Sequence, residues 1–198
     1  MEKMSEIYAP ASLIIKQMEA PQNTLLTMMN NADANGDFEG GILTKGIISP
    51  VYSLGASIKN QIEAAILQIN QEELKMYPSH TVMQSLTAGI LDQMDLYKTQ
   101  YLSKYKKLVE NLLTNKDQIE KNVDQKRQSG EKVPDENSIQ ELLKNASVLL
   151  DDSKKAEPDL KNTDPQKPKS FFEKAKPFLG AAVGAATAVL KALGYIPV

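Results

Sequence analysis

Residues 79–114 read SHTVMQSLTAGILDQMDLYKTQYLSKYKKLVENLLT. Large apolar and aromatic side chains fall at Met83, Leu86, Ile90, Met94, Tyr97, Tyr101, Tyr105, Leu108 and Leu112. Every step is three or four residues, so the mean lies close to the α-helical repeat of about 3.6. The alternation of a half-buried strand is absent. Leu91, Leu102, Val109 and Leu113 widen the stripe into a face that other helices must cover. Ser79 stands where an N-cap is needed. Ile119 and Val123 continue the stripe thinly beyond a joint at Thr114–Asp117, and Ser129-Gly130 stops it. A helix of this length with so broad an apolar face makes the fold all-α.

On its N-terminal side, Ser49-Pro50 has the form of an N-cap followed by a first helical residue. Val51, Leu54, Ile58, Ile62, Ala65, Ile66, Ile69 and Leu74 then share one helical face, and Tyr77-Pro78 ends the run. The short connection Tyr77–Thr81 makes these two long helices antiparallel neighbours. Earlier still, Pro10 opens a short helix through Met18, Pro21 interrupts it, and Thr24–Met29 forms a second. Asn30 to Gly41 reads as a loop, because Asn-Asn, Asn-Gly and Gly-Gly are strong breakers.

On the C-terminal side, Ile139, Leu142, Leu143, Ala146, Leu149 and Leu150 mark a third amphipathic helix after a turn at Pro134–Ser138. Asp151 to Lys169 carries three prolines, many charges and only Leu160 as a large apolar residue, which reads as a linker. Ser170-Phe171-Phe172-Glu173 has capping-box spacing, and Phe178 to Leu190 is uncharged. The expected organisation is therefore a helical bundle domain over 1–152, a charged Pro-containing linker over 153–169 and an apolar Gly/Ala-rich C-terminal helix over 170–198. The expected fold is an irregular helical bundle with two long antiparallel helices, a broken helical N-terminal third and a linker-tethered C-terminal helix.

Composition removes several function classes. The 198 residues contain no cysteine, so disulfides, thiolate metal sites and cysteine nucleophiles are excluded. His80 is the only histidine and sits at a helix start, where no catalytic explanation is needed. Glu72-Glu73 and Asp151-Asp152 are acidic pairs without the second partner that acid–base chemistry requires. There is no P-loop, dinucleotide fingerprint or metalloprotease helix. The chain reads as a non-enzyme that needs no cofactor. Net charge is −2 and Arg127 is the only arginine, which disfavours nucleic acid as a partner. Tyr97, Tyr101 and Tyr105 lie near Lys98, Lys104, Lys106 and Lys107, yet the rings continue the core stripe and the lysines read as a solvated face. The opening residues lack a signal-peptide layout, so synthesis in the cytosol is expected. That leaves room for peripheral membrane association or signal-peptide-independent secretion.

Two segments carry candidate sites. Asp33, Asn35 and Asp37 have the oxygen spacing that opens an EF-hand loop. Phe38 and Thr44 then stand where Gly and Glu are required, so the segment reads as a polar turn and no metal is expected. The C-terminal segment is the stronger candidate. Gly180, Gly184 and Ala188 recur every four residues, a smooth stripe against which another helix can pack closely. Phe171, Phe172 and Phe178 gather at its start among Lys174 and Lys176, a collar suited to a partner or a membrane surface. The charge-free stretch is too short to span a bilayer. The expected function is that of a non-enzymatic helical protein that binds another protein. The alternative is a membrane-associated or membrane-active protein, including a secreted effector-like role, acting through residues 171–198. Oligomeric state is not readable from the sequence.

Overall fold

A computed structural model describes the backbone of residues 2–35, 45–164 and 167–198; among these, the side chains of residues 2–8, 32–35, 45, 168, 169 and 172 are outside the description. The elements are α1 (Glu2–Asn35), α2 (Lys45–Glu73), α3 (His80–Leu96), a π-helical segment (Tyr97–Tyr101), α4 (Leu102–Thr114), α5 (Lys116–Gln128), α6 (Glu136–Lys161) and α7 (Pro168–Ala192). No strand occurs among the described residues, and the fold is an all-α helical bundle.

The stripe of residues 79–114 forms the central rod. Met83, Ile90, Met94, Tyr97, Tyr101, Tyr105, Leu108 and Leu112 are buried, and Leu86 is half-buried. Ser79 caps the rod by accepting a hydrogen bond from the Val82 N–H. The joint falls at Asn115, whose φ of −102° and ψ of 31° leave the helical region. Gly130, at φ 81°, ends the rod in the left-handed conformation that glycine adopts without steric cost.

Cross-helix contacts fix the directions. Gln93 Nε2 donates to Gln61 Oε1 at 3.2 Å, so α2 and α3 run antiparallel. Tyr97 and Tyr101 donate to Gln17 and Gln22, so α1 runs parallel to the rod. Lys106 pairs with Glu157 and Lys154 with Glu110, so α6 runs antiparallel to α4. Lys174 pairs with Asp159, and Gly184 abuts Leu149, so α7 runs antiparallel to α6. The helix pairs α1–α2 and α6–α7 thus clasp the rod at different heights, and α7 also packs on α1 and α4.

Four features differ from the sequence-based expectation. First, α1 is continuous through Pro10 and Pro21, where two short helices were expected. Both prolines are buried, in line with Ala11, Ile14, Met18, Leu25 and Met28, so packing of this face outweighs the hydrogen bond that a mid-helix proline removes. Second, residues 30–35, expected in a loop, are helical; residues 36–41 lie outside the described residues. Third, α2 starts at Lys45 and carries Pro50 inside, with Ile48 already in the core. Fourth, the stretch read as a linker is helical as far as Lys161, with Ser153 and Leu160 buried. Its charges are ion-pair partners: Glu157 joins Lys106 and Lys161, and Lys154 joins Glu110. α7 correspondingly begins at Pro168, with Pro in the first turn, so Ser170 is not its cap.

Candidate interaction surface

The C-terminal candidates occupy a packed helix. Phe171, Phe178 and Ala188 are buried, and Phe171 meets the Tyr97 ring edge-on at a centroid distance of 6.2 Å. Ala182, Ala185, Ala186, Val189, Leu190 and Leu193 are buried with them. Gly184 lets Leu149 approach to 3.0 Å of where a Cβ would stand, whereas a Cβ at Gly180 would meet nothing. Lys174 and Lys176 are exposed, and Lys174 pairs with Asp159 at 3.4 Å. The side chain of Phe172 lies outside the description. Among the described side chains of the set, Phe171 and Phe178 thus face the bundle, whereas Lys174, Lys176 and Gly180 face solvent. No helix among the described residues is long and apolar enough to cross a membrane.

Asp33 and Asn35 lie on the last turn of α1, and Asp37 lies outside the described residues. The described residues contain no group of three or more His, Asp or Glu side chains that could hold a metal ion.

The tyrosine ladder is a polar seam inside the core. Tyr97 stacks on Tyr101 at 5.6 Å, and Tyr101 meets Tyr105 at 6.2 Å. Tyr101 Oη donates to Gln22 Oε1 at 2.8 Å, and Gln22 Nε2 donates to the Tyr52 carbonyl at 3.0 Å. Tyr105 Oη is buried without a hydrogen bond; the neighbouring Thr24 hydroxyl donates to the Ala20 carbonyl instead. Burial pushes all three phenols above the ordinary tyrosine range. Their rings are unavailable for base stacking. Lys98 and Lys106 are also engaged, on the Thr163 carbonyl and on Glu157. Burial alone would raise the Glu157 pKa, but hydrogen bonds from Lys106 and Lys161 outweigh it and hold the carboxyl below its usual range.

Among the described residues, the most exposed large apolar side chains lie elsewhere, at the turn joining α2 to α3. Leu74, Met76 and Tyr77 are 87%, 86% and 86% exposed, and Leu67 and Val82 are exposed nearby. Single exposed apolar residues are ordinary, but three large ones on one turn form a patch. The turn is held by Glu72. Its Oε1 accepts the Ser79 N–H at 2.6 Å across the base, and its Oε2 accepts Lys75 Nζ at 2.5 Å. The Lys75 ammonium, then the Ser79 N–H, hold the Glu72 carboxyl below the usual carboxylate range. Desolvation of the buried carboxylate opposes this shift and is outweighed. Both oxygens are committed, and the apolar side chains project from an ordered frame.

The hairpin is also depleted of charge. Between Ala64 and Leu91 the charged side chains are Glu72, Glu73 and Lys75, two of which neutralise each other, in a chain that is 24% charged. Loss of charge with retention of aromatic and Met side chains is the compositional mark of an interface core. Sequence reading placed Leu74 in the core stripe and so missed this surface. The signal available there was Tyr77-Pro78, which brings the chain out of the helix after Glu73 and frees Leu74 from the core face.

A second surface feature is a shallow open groove of about 470 Å³ beside α6, lined by Ser138, Glu141, Leu142, Lys144, Asn145, Val148 and Val198. The Ser138 hydroxyl at its edge is taken up in the α6 cap, donating to Asp135 Oδ2 at 2.8 Å. No family model, curated protein or solved structure matches the chain.

Proposed function

We propose that this chain is a non-enzymatic interaction protein that engages another protein through the α2–α3 hairpin. The observation that carries this reading is the turn itself: Leu74, Met76 and Tyr77 stand almost fully exposed on a frame locked by Glu72. A surface already ordered before contact loses less conformational entropy on binding. Tyr is enriched among the residues that dominate binding energy. A bilayer is the poorer occupant, because Gln68, Asn70, Gln71 and Gln84 are exposed on the same hairpin and amides are costly to bury unpaired.

Affinity capture with the full chain tests this. The wild type and a Lys174→Gln/Lys176→Gln variant should retain the same partner, and a Met76→Ser/Tyr77→Ser variant should lose it. Equal capture by all three proteins would remove the hairpin from the function. Loss with the lysine variant alone would return the binding role to α7.

A further inference from the structure

The chain contains eight methionines and no cysteine, so thioether sulfur is its only sulfur open to oxidation. Met18, Met28 and Met94 are fully buried, Met83 is 7% exposed and Met29 is half-buried. Met76 is 86% exposed, between Leu74 and Tyr77 on the α2–α3 turn. Of the described methionine side chains it alone is exposed; Met1 and the side chain of Met4 lie outside the description. The most accessible sulfur thus stands in the middle of the apolar tip, and the sulfurs whose oxidation would disturb packing are shielded.

We propose that Met76 is a reversible oxidation switch of the hairpin: the thioether supports partner binding and the sulfoxide abolishes it. The switch rests on the hairpin being the interaction element. The oxidant is of the hydroperoxide class. The sulfur lone pair attacks the terminal peroxide oxygen, an S–O bond forms and the O–O bond breaks. The transferred oxygen gives up its proton to the departing one, which leaves as water or an alcohol. Sulfur is oxidised and the peroxide reduced by the same electron pair.

The two forms differ in what they can bury. The thioether is flexible, polarizable and apolar, and adapts to an irregular apolar surface. The sulfoxide is polar and chiral. Its oxygen needs a donor when water is removed, and burying it without one is costly. The turn itself has no donor to spare: Lys75 Nζ is held by Glu72 Oε2 at 2.5 Å, and the Ser79 N–H by Glu72 Oε1 at 2.6 Å. Met76 adds almost nothing to the core, so its sulfoxide weakens binding and leaves the fold intact. The same oxygen on Met83 or Met94 would have to enter the core. The turn also lies outside both helices, where a sulfoxide reductase can reach it.

Peroxide treatment of the full chain, followed by peptide mapping, tests the site. Met76 should take up one oxygen well before Met18, Met83 or Met94, with the helical circular dichroism and thermal midpoint unchanged at that stage. On a phenyl-substituted resin the Met76-oxidised chain should be retained less than the untreated chain. Its affinity for the partner captured by the untreated hairpin should fall about tenfold or more. Methionine sulfoxide reductases specific for each epimer, acting together, should restore both readouts. Met76→Leu keeps an apolar tip without sulfur and should behave alike before and after peroxide. Oxygen uptake at Met76 no faster than at the buried methionines would overturn the switch, as would unchanged retention of the oxidised chain. Equal loss in Met76→Leu would also overturn it, since the effect would then lie at another methionine. The switch and the binding role separate cleanly. If Met76→Ser/Tyr77→Ser captures the partner as the wild type does, the hairpin reading fails and the switch falls with it. If that variant loses the partner while fully Met76-oxidised wild type still holds it, the switch alone falls.

Discussion

At Gly55 the missing side chain is what lets α2 meet the tyrosine seam. A Cβ there would stand 2.3 Å from Gln22 Oε1 and 2.6 Å from Tyr101 Cε2. Gly89, inside α3, has nothing within 4 Å of the same point. The two therefore respond oppositely to alanine. Gly55→Ala should destabilise by about 1–3 kcal/mol through overpacking. Gly89→Ala should stabilise by roughly 0.5–1 kcal/mol, since glycine in a helix interior carries excess chain entropy. Urea denaturation of both variants measures the pair, and a shift in the same direction would contradict the packing described. Glu72 acts at the same scale. Its pKa is lowered by the Lys75 ammonium and the Ser79 N–H, so the ionised form is favoured in the folded turn. The ordering it provides is present above the ordinary carboxylate range and is lost as pH falls through the lowered folded pKa. Glu72→Gln should remove hydrogen-exchange protection at the Ser79 amide near neutral pH while leaving Ile90 and Met94 protected. In the wild type the same loss should follow acidification alone.

At the scale of the element, the rod sets the strongest expectation. Ile90 is fully buried, Leu86 is half-buried, and Gln84 lies at the surface against His80. Ile90→Ala should cost about 2–5 kcal/mol, Leu86→Ala less, and Gln84→Ala within about 0.5 kcal/mol. Thermal or chemical denaturation that ranked them otherwise would displace the core face. This stripe was legible in the sequence because its spacing is the helical period and its residues are large. Three other things were not. Pro10 and Pro21 are breakers by local propensity, and only the neighbours that bury Met18 and Leu25 keep α1 whole. The π segment at Tyr97–Tyr101 leaves no mark on a pattern of threes and fours, since the inserted turn keeps the tyrosines on the core side. The charges of residues 151–161 look like those of a linker until Lys106 and Glu110 are seen to face them from α4. The candidate surface was harder still: exposure at Leu74 to Tyr77 follows from where α2 stops, and helix ends are the least determined part of any periodic pattern.

For the whole molecule, the question is whether α7 is an appendage or a part of the core. Its sequence suggests an appendage, because Gly and Ala contribute little apolar area each. The packing argues otherwise. Phe171 sits against Tyr97, Phe178 and Leu179 follow two turns on, and Val189, Leu190 and Leu193 close the far end. Small residues let α7 lie close to its neighbours, so what it buries is as much their surface as its own. Leu149 rests on Gly184, and the Lys126 ammonium lies 4.0 Å from the centre of the Tyr195 ring just beyond the helix. Truncation after Lys169 would therefore strip cover from α6 and from the tyrosine seam together. Net stabilities of about 5–15 kcal/mol do not survive the loss of several fully buried aromatic and aliphatic side chains. The truncated chain should keep much of its far-ultraviolet helical signal, because α1 through α6 retain their local sequence. It should lose the near-ultraviolet tyrosine signal and the sharp cooperative transition, the behaviour of a compact state without fixed packing. The full chain with Lys174→Gln and Lys176→Gln should unfold nearly as the wild type does, because both lysines are exposed. A truncated protein that still unfolded cooperatively, with its near-ultraviolet signal intact, would show that the remaining helices form a complete core. α7 would then be free to leave it, and the membrane reading of its lysine collar would gain what the packed arrangement denies it.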